Sequence, residues 1–402
     1  MNYDVMIIGG GAIGSATARE LARYNLKIGV LEKENDVCLG NSGRNTGMLH
    51  AGFLYAEGSY RARFCVEGNR MFDELAKQLD VPLKRTGKLT VGSTEAERRR
   101  LELLIENGRK NGVPGIHMIE REELRVLEPN INAEFAMLSP TSAILCPYLY
   151  TIALAESAAM NGVTYHMGEA LLKAESLKGG GFRLYTKKSV YEANWVINSC
   201  GYNVDHAAEI LGTPRYRMQN TKGEYLLLDT RTGEYLHMPV YPAPDKNWVY
   251  DVHVTPTVDG NVLVGPTISP SVIENGDFDT TAAGRNLLLS NGAKLFPPLK
   301  PNLVIRSFAA VSPHLGAPAD LPDDFIFDVH QEEHLIHLVR MDSPGITASG
   351  AIGKYLANII TTCEQVSANP AFRPERKGIA RFADQDRETQ AEWIRRNPDY
   401  GE

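Results

Sequence analysis

Residues 3–8 (YDVMII) form an apolar run bounded by polar and glycine-rich segments, the pattern of a strand buried on both faces. Glycines follow, and residues 15–24 (SATARELARY) then take helical composition. Residues 27–31 (KIGVL) read as a second strand, which Glu32 ends. The order strand, helix, strand predicts parallel pairing of the two strands. Further on, residues 94–111 form a charged helical stretch and residues 146–159 a more apolar one. The runs VTYHM (163–167), FRLYT (182–186) and ANWVI (193–197) predict strands that return to the N-terminal sheet. Between residues 214 and 335, apolar and polar positions alternate at strand period in EYLLL, NVLVG and LVIRSFAAV, which predicts a separate, mostly antiparallel sheet. HLIHLV (334–339) fits either sheet. No internal repeat or low-complexity tract interrupts these elements.

A chain of 402 residues with 43% hydrophobic composition buries a large core, and its length predicts two domains. The formal net charge of -7 argues against nucleic acid as a partner, because a phosphate backbone selects a basic face. Cys38, Cys65, Cys146, Cys200 and Cys363 are dispersed without a CxxC pair, which fits a reducing compartment better than a disulfide framework. No unbroken apolar run of about 18 residues is present, so no transmembrane segment is expected. The opening residues lack a basic region and are broken by glycines, unlike a signal peptide, and the expected location is cytoplasmic.

The segment from Gly9 to Gly14 has the spacing GxGxxG. It joins a predicted strand to a predicted helix, and an acidic residue closes the next strand about 20 residues on, as in dinucleotide-binding folds. Gly9 permits the tight turn, Gly11 lets a pyrophosphate reach the helix N-terminus, and Gly14 lets helix and strand pack closely. Glu32 is placed to accept hydrogen bonds from a ribose. The alternative is a glycine-rich turn without a ligand, which requires all of these features to coincide by accident.

After Glu32 comes a second glycine-and-polar segment, residues 38–47 (CLGNSGRNTG), in place of a further regular unit. N-terminal GxGxxG, an acidic ribose ligand and SGRNTG before an apolar run together resemble the FAD-dependent D-amino-acid oxidase (glutathione-reductase-like) superfamily. Residues 193–201 (ANWVINSCG) and 342–349 (DSPGITAS) resemble that family's returning strand and C-terminal flavin loop. The resemblance implies FAD as cofactor. It also implies an α/β (α+β two-domain) fold: a glutathione-reductase-like Rossmann domain plus a substrate/cap domain with a mostly antiparallel sheet. The first would be discontinuous, over residues 1–78, 144–213 and 336–402, and the second would span 79–143 and 214–335. The implied FAD-binding residues are Gly9, Gly11, Ala12, Ile13, Gly14, Glu32, Lys33, Ser42, Arg44, Asn45, Thr46, Gly47 and Met48, then Leu171, Cys200, Gly201, Gly345, Ile346 and Thr347. No metal is among the expected groups. Residues 50–69, 222–229 and 253–267 resemble, more narrowly, the branch of glycerol-3-phosphate oxidases and dehydrogenases and L-2-hydroxyglutarate oxidases, without separating those substrates.

His50 lies in NTGMLHAG (45–52), between two glycines. Oxidation of an alcohol by a flavin sends a hydride to N5 and the hydroxyl proton to a base, and imidazole suits that task near neutral pH. The resemblance places His50 at the family's catalytic base; the alternative is a core histidine bonded to backbone. His253 reads as a strand residue and His314 as a substrate candidate. The helix after Gly345 would offer its N-terminus to the negative charge of the reduced flavin. Two departures from the family pattern stand out. Thr46 replaces a common serine, which predicts modest narrowing of the pocket. Ser312 stands where many relatives hold the substrate anion with arginine, a clamp that a hydroxyl does not reproduce. Tyr55, Lys222, Arg306, Ser312 and His314 are the expected substrate residues, with Lys222, Arg44, Arg306 and His314 available to supply the missing charge.

The leading expectation is oxidation of a secondary alcohol, either glycerol 3-phosphate or a 2-hydroxy acid such as L-2-hydroxyglutarate. An amino-acid oxidase and a non-catalytic flavin-binding subunit are the other readings. The charged tail, residues 372–402, resembles the linker that leads into an iron–sulfur domain in longer relatives. It is therefore a candidate docking point for an iron–sulfur or other electron-accepting subunit, or else a solvated helix.

Overall fold

The computed structural model describes residues 2–268, 276–318 and 321–401. The parallel strands Thr164–Met167, Ile28–Glu32, Asn2–Ile8, Val190–Asn198 and Leu335–Val339 lie side by side in that order. Ile326–His330 extends this sheet antiparallel to Leu335–Val339, and Lys173–Ser176 and Phe182–Tyr185 form a meander with the first half of Val190–Asn198. The central strands are continuously apolar because both faces are covered. Val5, Ile7, Val30 and Ile197 pack with residues of the helices Ala12–Leu21 and Gly345–Glu364. Met6, Ile8, Leu31 and Val196 turn to the other face, where Phe182 and Leu184 of the meander join them. The alternation of odd and even positions is the two-residue period of a strand.

The second sheet runs Val304–Ala317, Arg217–Leu228, Val262–Val264, Val254–Pro256, Val240–Pro242, Lys88–Gly92, Phe135–Ser139 and His117–Glu120. Its pairs are antiparallel except Val240–Pro242 with Lys88–Gly92. Its core joins Leu226, Leu228, Val254 and Val264 to Leu288 and Leu295 of the helix Ala282–Leu295. The helix Glu95–Lys110 starts at a capping box between Thr94 and Glu97, the arrangement that a charged helix with Thr three residues before Glu allows. A small sheet of Met48–Leu49, Ala143–Leu145 and Leu83–Lys84 lies where the chain passes between the two large ones.

Three details differ from the sequence reading. HLIHLV belongs to the parallel sheet, and so does Ile326–His330, so the expected boundary at residue 335 falls too late. The stretch 214–335 also contains the helix Ala282–Leu295, which strand-period alternation did not predict. The helix Tyr60–Leu79 had no predicted counterpart; Ser59 caps it by accepting from the Ala62 N–H. It packs against Gly345–Glu364, so its position bears on the site.

Candidate active site

Gly9 adopts φ +108°, and a Cβ there would lie 2.5 Å from the Ser199 carbonyl oxygen, so only glycine makes this turn without strain. At Gly14 a Cβ would lie 2.1 Å from the Gly9 oxygen, which fixes how closely helix and strand approach. The helix Ala12–Leu21 receives no side-chain cap from Gly11, although Ser42 Oγ accepts from the Ala12 N–H at 3.0 Å. Its remaining first N–H groups are left to an anion. Glu32 is buried at the end of its strand and accepts from the N–H groups of Gly10 at 2.7 Å and Glu34 at 2.9 Å. Each carboxylate oxygen retains a lone pair for a hydroxyl donor.

A cavity of about 830 Å³ runs from this turn to His50. Gly9, Gly11, Ala12, Ile13, Glu32 and Lys33 line one end, with Leu171, Cys200 and Gly201 beside them. Ser42, Arg44, Asn45, Thr46 and Met48 follow along the wall, and Gly345, Ile346 and Thr347 close it with the N-terminus of the helix Gly345–Glu364. That helix, preceded by Pro344, also lacks a side-chain cap. Gly14 and Gly47 do not border the cavity; Gly47 (φ +66°) has the Leu145 oxygen 2.1 Å from where a Cβ would be. Both act through backbone packing. A glycine cradle, two uncapped helix N-termini and a carboxylate at the strand end together fit an FAD.

His50 follows the strand Met48–Leu49 and lies half-buried on the cavity wall. Its backbone N–H donates to Thr347 Oγ1 at 3.0 Å, and its carbonyl accepts from Asn69 Nδ2 at 2.8 Å. Its Nε2 lies 3.4 Å from Ser343 Oγ, which lies 3.2 Å from the Tyr55 hydroxyl. Behind that serine, Arg61 pairs with Asp342 and, at 2.9 Å, with Asp323. Burial first, and then the charge fields of Lys88 and His253, lower the His50 pKa to about 3. The imidazole is therefore neutral at neutral pH and free to accept a proton. Burial holds the Tyr55 hydroxyl well above the ordinary tyrosine range, so it stays protonated.

Tyr55, Lys222, Ser312 and His314 all border the cavity. Ser312 pairs across the sheet with Thr221, and His314 Nε2 lies 3.1 Å from Thr221 Oγ1. Lys222 is held by Asp277 at 2.8 Å. Arg306 departs from the expectation: it is exposed, pairs with Leu227 and does not border the cavity. The spacing explains this, since six residues of strand separate it from Ser312 by roughly 20 Å. Thr46 lines the wall. His253 borders the cavity immediately before the strand Val254–Pro256 rather than within it, with its ring stacked on Tyr241 at 3.6 Å between centroids.

Sequence reasoning missed Lys88, which is 2% exposed and borders the cavity at the start of the strand Lys88–Gly92. Its Nζ lies 3.4 Å from the centre of the Tyr241 ring, with Phe53 and Tyr250 at 5.2 and 5.5 Å. The signal was faint: a lysine opening a strand whose other positions are all apolar, Thr or Gly.

Comparison with known proteins agrees with this geometry. A family model described as DAO, FAD dependent oxidoreductase, matches residues 4–359. A glycerol 3-phosphate dehydrogenase of Caloramator mitchellensis is 32% identical over 402 residues, covering 99% of this chain and 82% of that protein. The mitochondrial L-2-hydroxyglutarate dehydrogenase of Homo sapiens is 27% identical, covering 89% of this chain and 88% of that one. Among solved structures, the dithionite-reduced L-alpha-glycerophosphate oxidase of Mycoplasma pneumoniae, with FAD bound, superposes with a TM-score of 0.87 at 26% identity, covering 95% of this chain and all (100%) of that one. The chain belongs to the FAD-dependent oxidoreductase family, and FAD is its cofactor.

Proposed function

We propose that this FAD-dependent oxidoreductase oxidises a secondary alcohol that carries an anionic group, with glycerol 3-phosphate the preferred substrate and His50 the base. The observation that carries this reading is the His50 imidazole on the cavity wall, its segment anchored through the main chain to Thr347 at the head of the helix Gly345–Glu364. When bound, FAD supplies the hydride acceptor. His50 Nε2 takes the hydroxyl proton, and Ser343, between Tyr55 and His50, orients the ring. The aromatic wall of Phe53, Tyr241 and Tyr250 keeps water from the reacting carbon. L-2-hydroxyglutarate is the alternative substrate, in keeping with the second group of relatives. An amino-acid oxidase needs no such base, so a histidine in this position favours the alcohol.

The test is anaerobic mixing of the FAD-loaded enzyme with glycerol 3-phosphate, L-2-hydroxyglutarate and glycine while flavin absorbance is followed. Bleaching by an alcohol and not by glycine is expected; bleaching by glycine alone would replace the reading with amine oxidation.

A cytoplasmic location belongs to the same reading, supported by five free cysteines. No described helix is long and apolar enough to cross a membrane. Transfer of electrons to a separate subunit docked on the C-terminal segment also belongs to it. The helix Arg387–Arg396 there buries none of its residues. Substrate-reduced enzyme should then reoxidise slowly in air and quickly with an artificial dye; rapid oxygen turnover with stoichiometric hydrogen peroxide would remove the need for that subunit.

A further inference from the structure

Among the described residues, Lys88 is a buried cation without an anionic partner. Its ammonium faces the rings of Tyr241, Phe53 and Tyr250, and no carboxylate lies close enough to shift it. The other cations on the cavity wall are engaged. Lys222 is paired with Asp277, Lys33 with Glu34 at 3.4 Å, and Arg44 lies over the Phe278 ring. A buried ammonium is costly unless it is paired, and a ring face returns only part of the lost hydration. The side chain nonetheless borders the cavity that His50 also borders, and no described carboxylate shares its surroundings.

We propose that Lys88 is a substrate-binding residue whose ammonium receives the anionic group of the alcohol, a carboxylate or a phosphate. This rests on the reading of a charged secondary alcohol as substrate. It also explains how the strand Val304–Ala317 manages with Ser312, and no guanidinium, at that position. Burial lowers the Lys88 pKa to about 7, so an arriving anion draws its proton into place. The groups facing it are His50 after the strand Met48–Leu49, Cys65 of the helix Tyr60–Leu79, His253, Tyr241 and Tyr250. Burial keeps both histidines at about 3 and moves the thiol and the phenols upward, so all of them are neutral around pH 7. The Lys88 charge also helps depress His50. An anion that compensates this charge makes His50 a stronger base, so the charge of the substrate primes the proton transfer.

The experiment uses the FAD-loaded enzyme, Lys88→Met and Lys88→Arg. Oxidised protein is titrated with sulfate and, separately, acetate, read as a perturbation of flavin absorbance. Reduction by glycerol 3-phosphate and by L-2-hydroxyglutarate is followed anaerobically by stopped flow. Lys88→Met should weaken anion binding and raise the apparent Kd of the reducing alcohol about 10- to 100-fold, the range for a lost hydrogen bond to a charged group. Lys88→Arg should recover much of that. Preference for sulfate points to a phosphate ester, and preference for acetate to a carboxylic acid. In wild type, affinity for either anion should fall as pH rises through about 7; this arm needs no variant, because neither anion changes charge there. Unchanged binding in Lys88→Met, a slower reduction step with unchanged Kd, or a flat pH profile in wild type would each overturn the proposal. If neither alcohol reduces the wild type while Lys88→Met still loses anion binding, the substrate reading fails and the Lys88 site stands.

Discussion

Replacing His50 by Gln keeps a polar side chain of similar reach but removes the proton acceptor. The structure predicts that little else changes. The segment is held by its main chain, through the N–H to Thr347 Oγ1 at 3.0 Å and the carbonyl to Asn69 Nδ2 at 2.8 Å. Among the described residues the ring's one hydrogen-bond partner is Ser343, at a long 3.4 Å. FAD content and melting temperature at pH 7.5 should therefore stay near wild type. The rate of flavin reduction should fall by about 10²- to 10⁴-fold, the usual loss on removing a general base. With its pKa lowered by burial to about 3, His50 stays unprotonated in the free enzyme from pH 5 to pH 7. The ratio of wild-type to variant rate should accordingly be constant between pH 5 and pH 7. The assay is anaerobic stopped-flow reduction at substrate concentrations well below Kd, where the rate reports the free enzyme. A variant rate within about threefold of wild type would rule out His50 as the base, and a ratio that collapses at pH 5 would show an imidazole far more basic than its burial dictates.

Other outcomes follow from the packing and the buried ionisable groups. A Cβ on Gly68 would lie 2.0 Å from the Thr347 oxygen, so Gly68→Ala must part the helices Tyr60–Leu79 and Gly345–Glu364. It should cost about 1–3 kcal/mol in urea denaturation and, because Thr347 holds His50, also slow flavin reduction; an unchanged midpoint would show that the contact yields freely. Burial lowers the pKa values of His50 and His253 to about 3 and of His337 to about 4. The unfolded chain therefore binds more protons below about pH 6.5, and this part of the stability, full above that pH, is lost as pH falls toward 4 and 3. The urea midpoint should be clearly lower at pH 5 than at pH 7.5, and equal midpoints would contradict the burial of these rings. Cys200 borders the cavity, but burial pushes its thiol up to about 12, leaving it protonated and a poor nucleophile. Acid precipitation should release all of the flavin; flavin retained in the pellet would reveal a covalent link.

The N-terminal unit was legible because its local signals agree. The strand Asn2–Ile8 is apolar at every position its two covered faces require, and the glycines that follow are dictated by backbone approaches shorter than any side chain permits. The helix Ala282–Leu295 was passed over although its start carries a local signal, Thr281 accepting from the Gly284 N–H at 2.9 Å; Glu224, 57 positions earlier, adds a distant one by accepting from the Thr281 N–H at 2.6 Å. Arg306 was misplaced for a different reason. Residue type nominated it, whereas distance along an extended strand decides which side chains reach a cavity.

Lys88 shows the limit most clearly. In sequence it is a lysine between Gly87 and an apolar run, indistinguishable from a charge that ends a strand in water. Its burial comes from parallel pairing of Lys88–Gly92 with Val240–Pro242, which sets Tyr241 beside the strand, and from Phe53, which the chain delivers just after His50. None of these partners is near in sequence on both sides, so no local pattern marks the site. What distinguishes this lysine is the absence of a carboxylate among the groups that fold around it, and only the assembled structure makes that visible. The antiparallel pairing of Val240–Pro242 with Val254–Pro256 sets His253 against Tyr241, so both histidines lie within the field of one ammonium. A change at Lys88 should therefore alter the basicity of His50 without touching it.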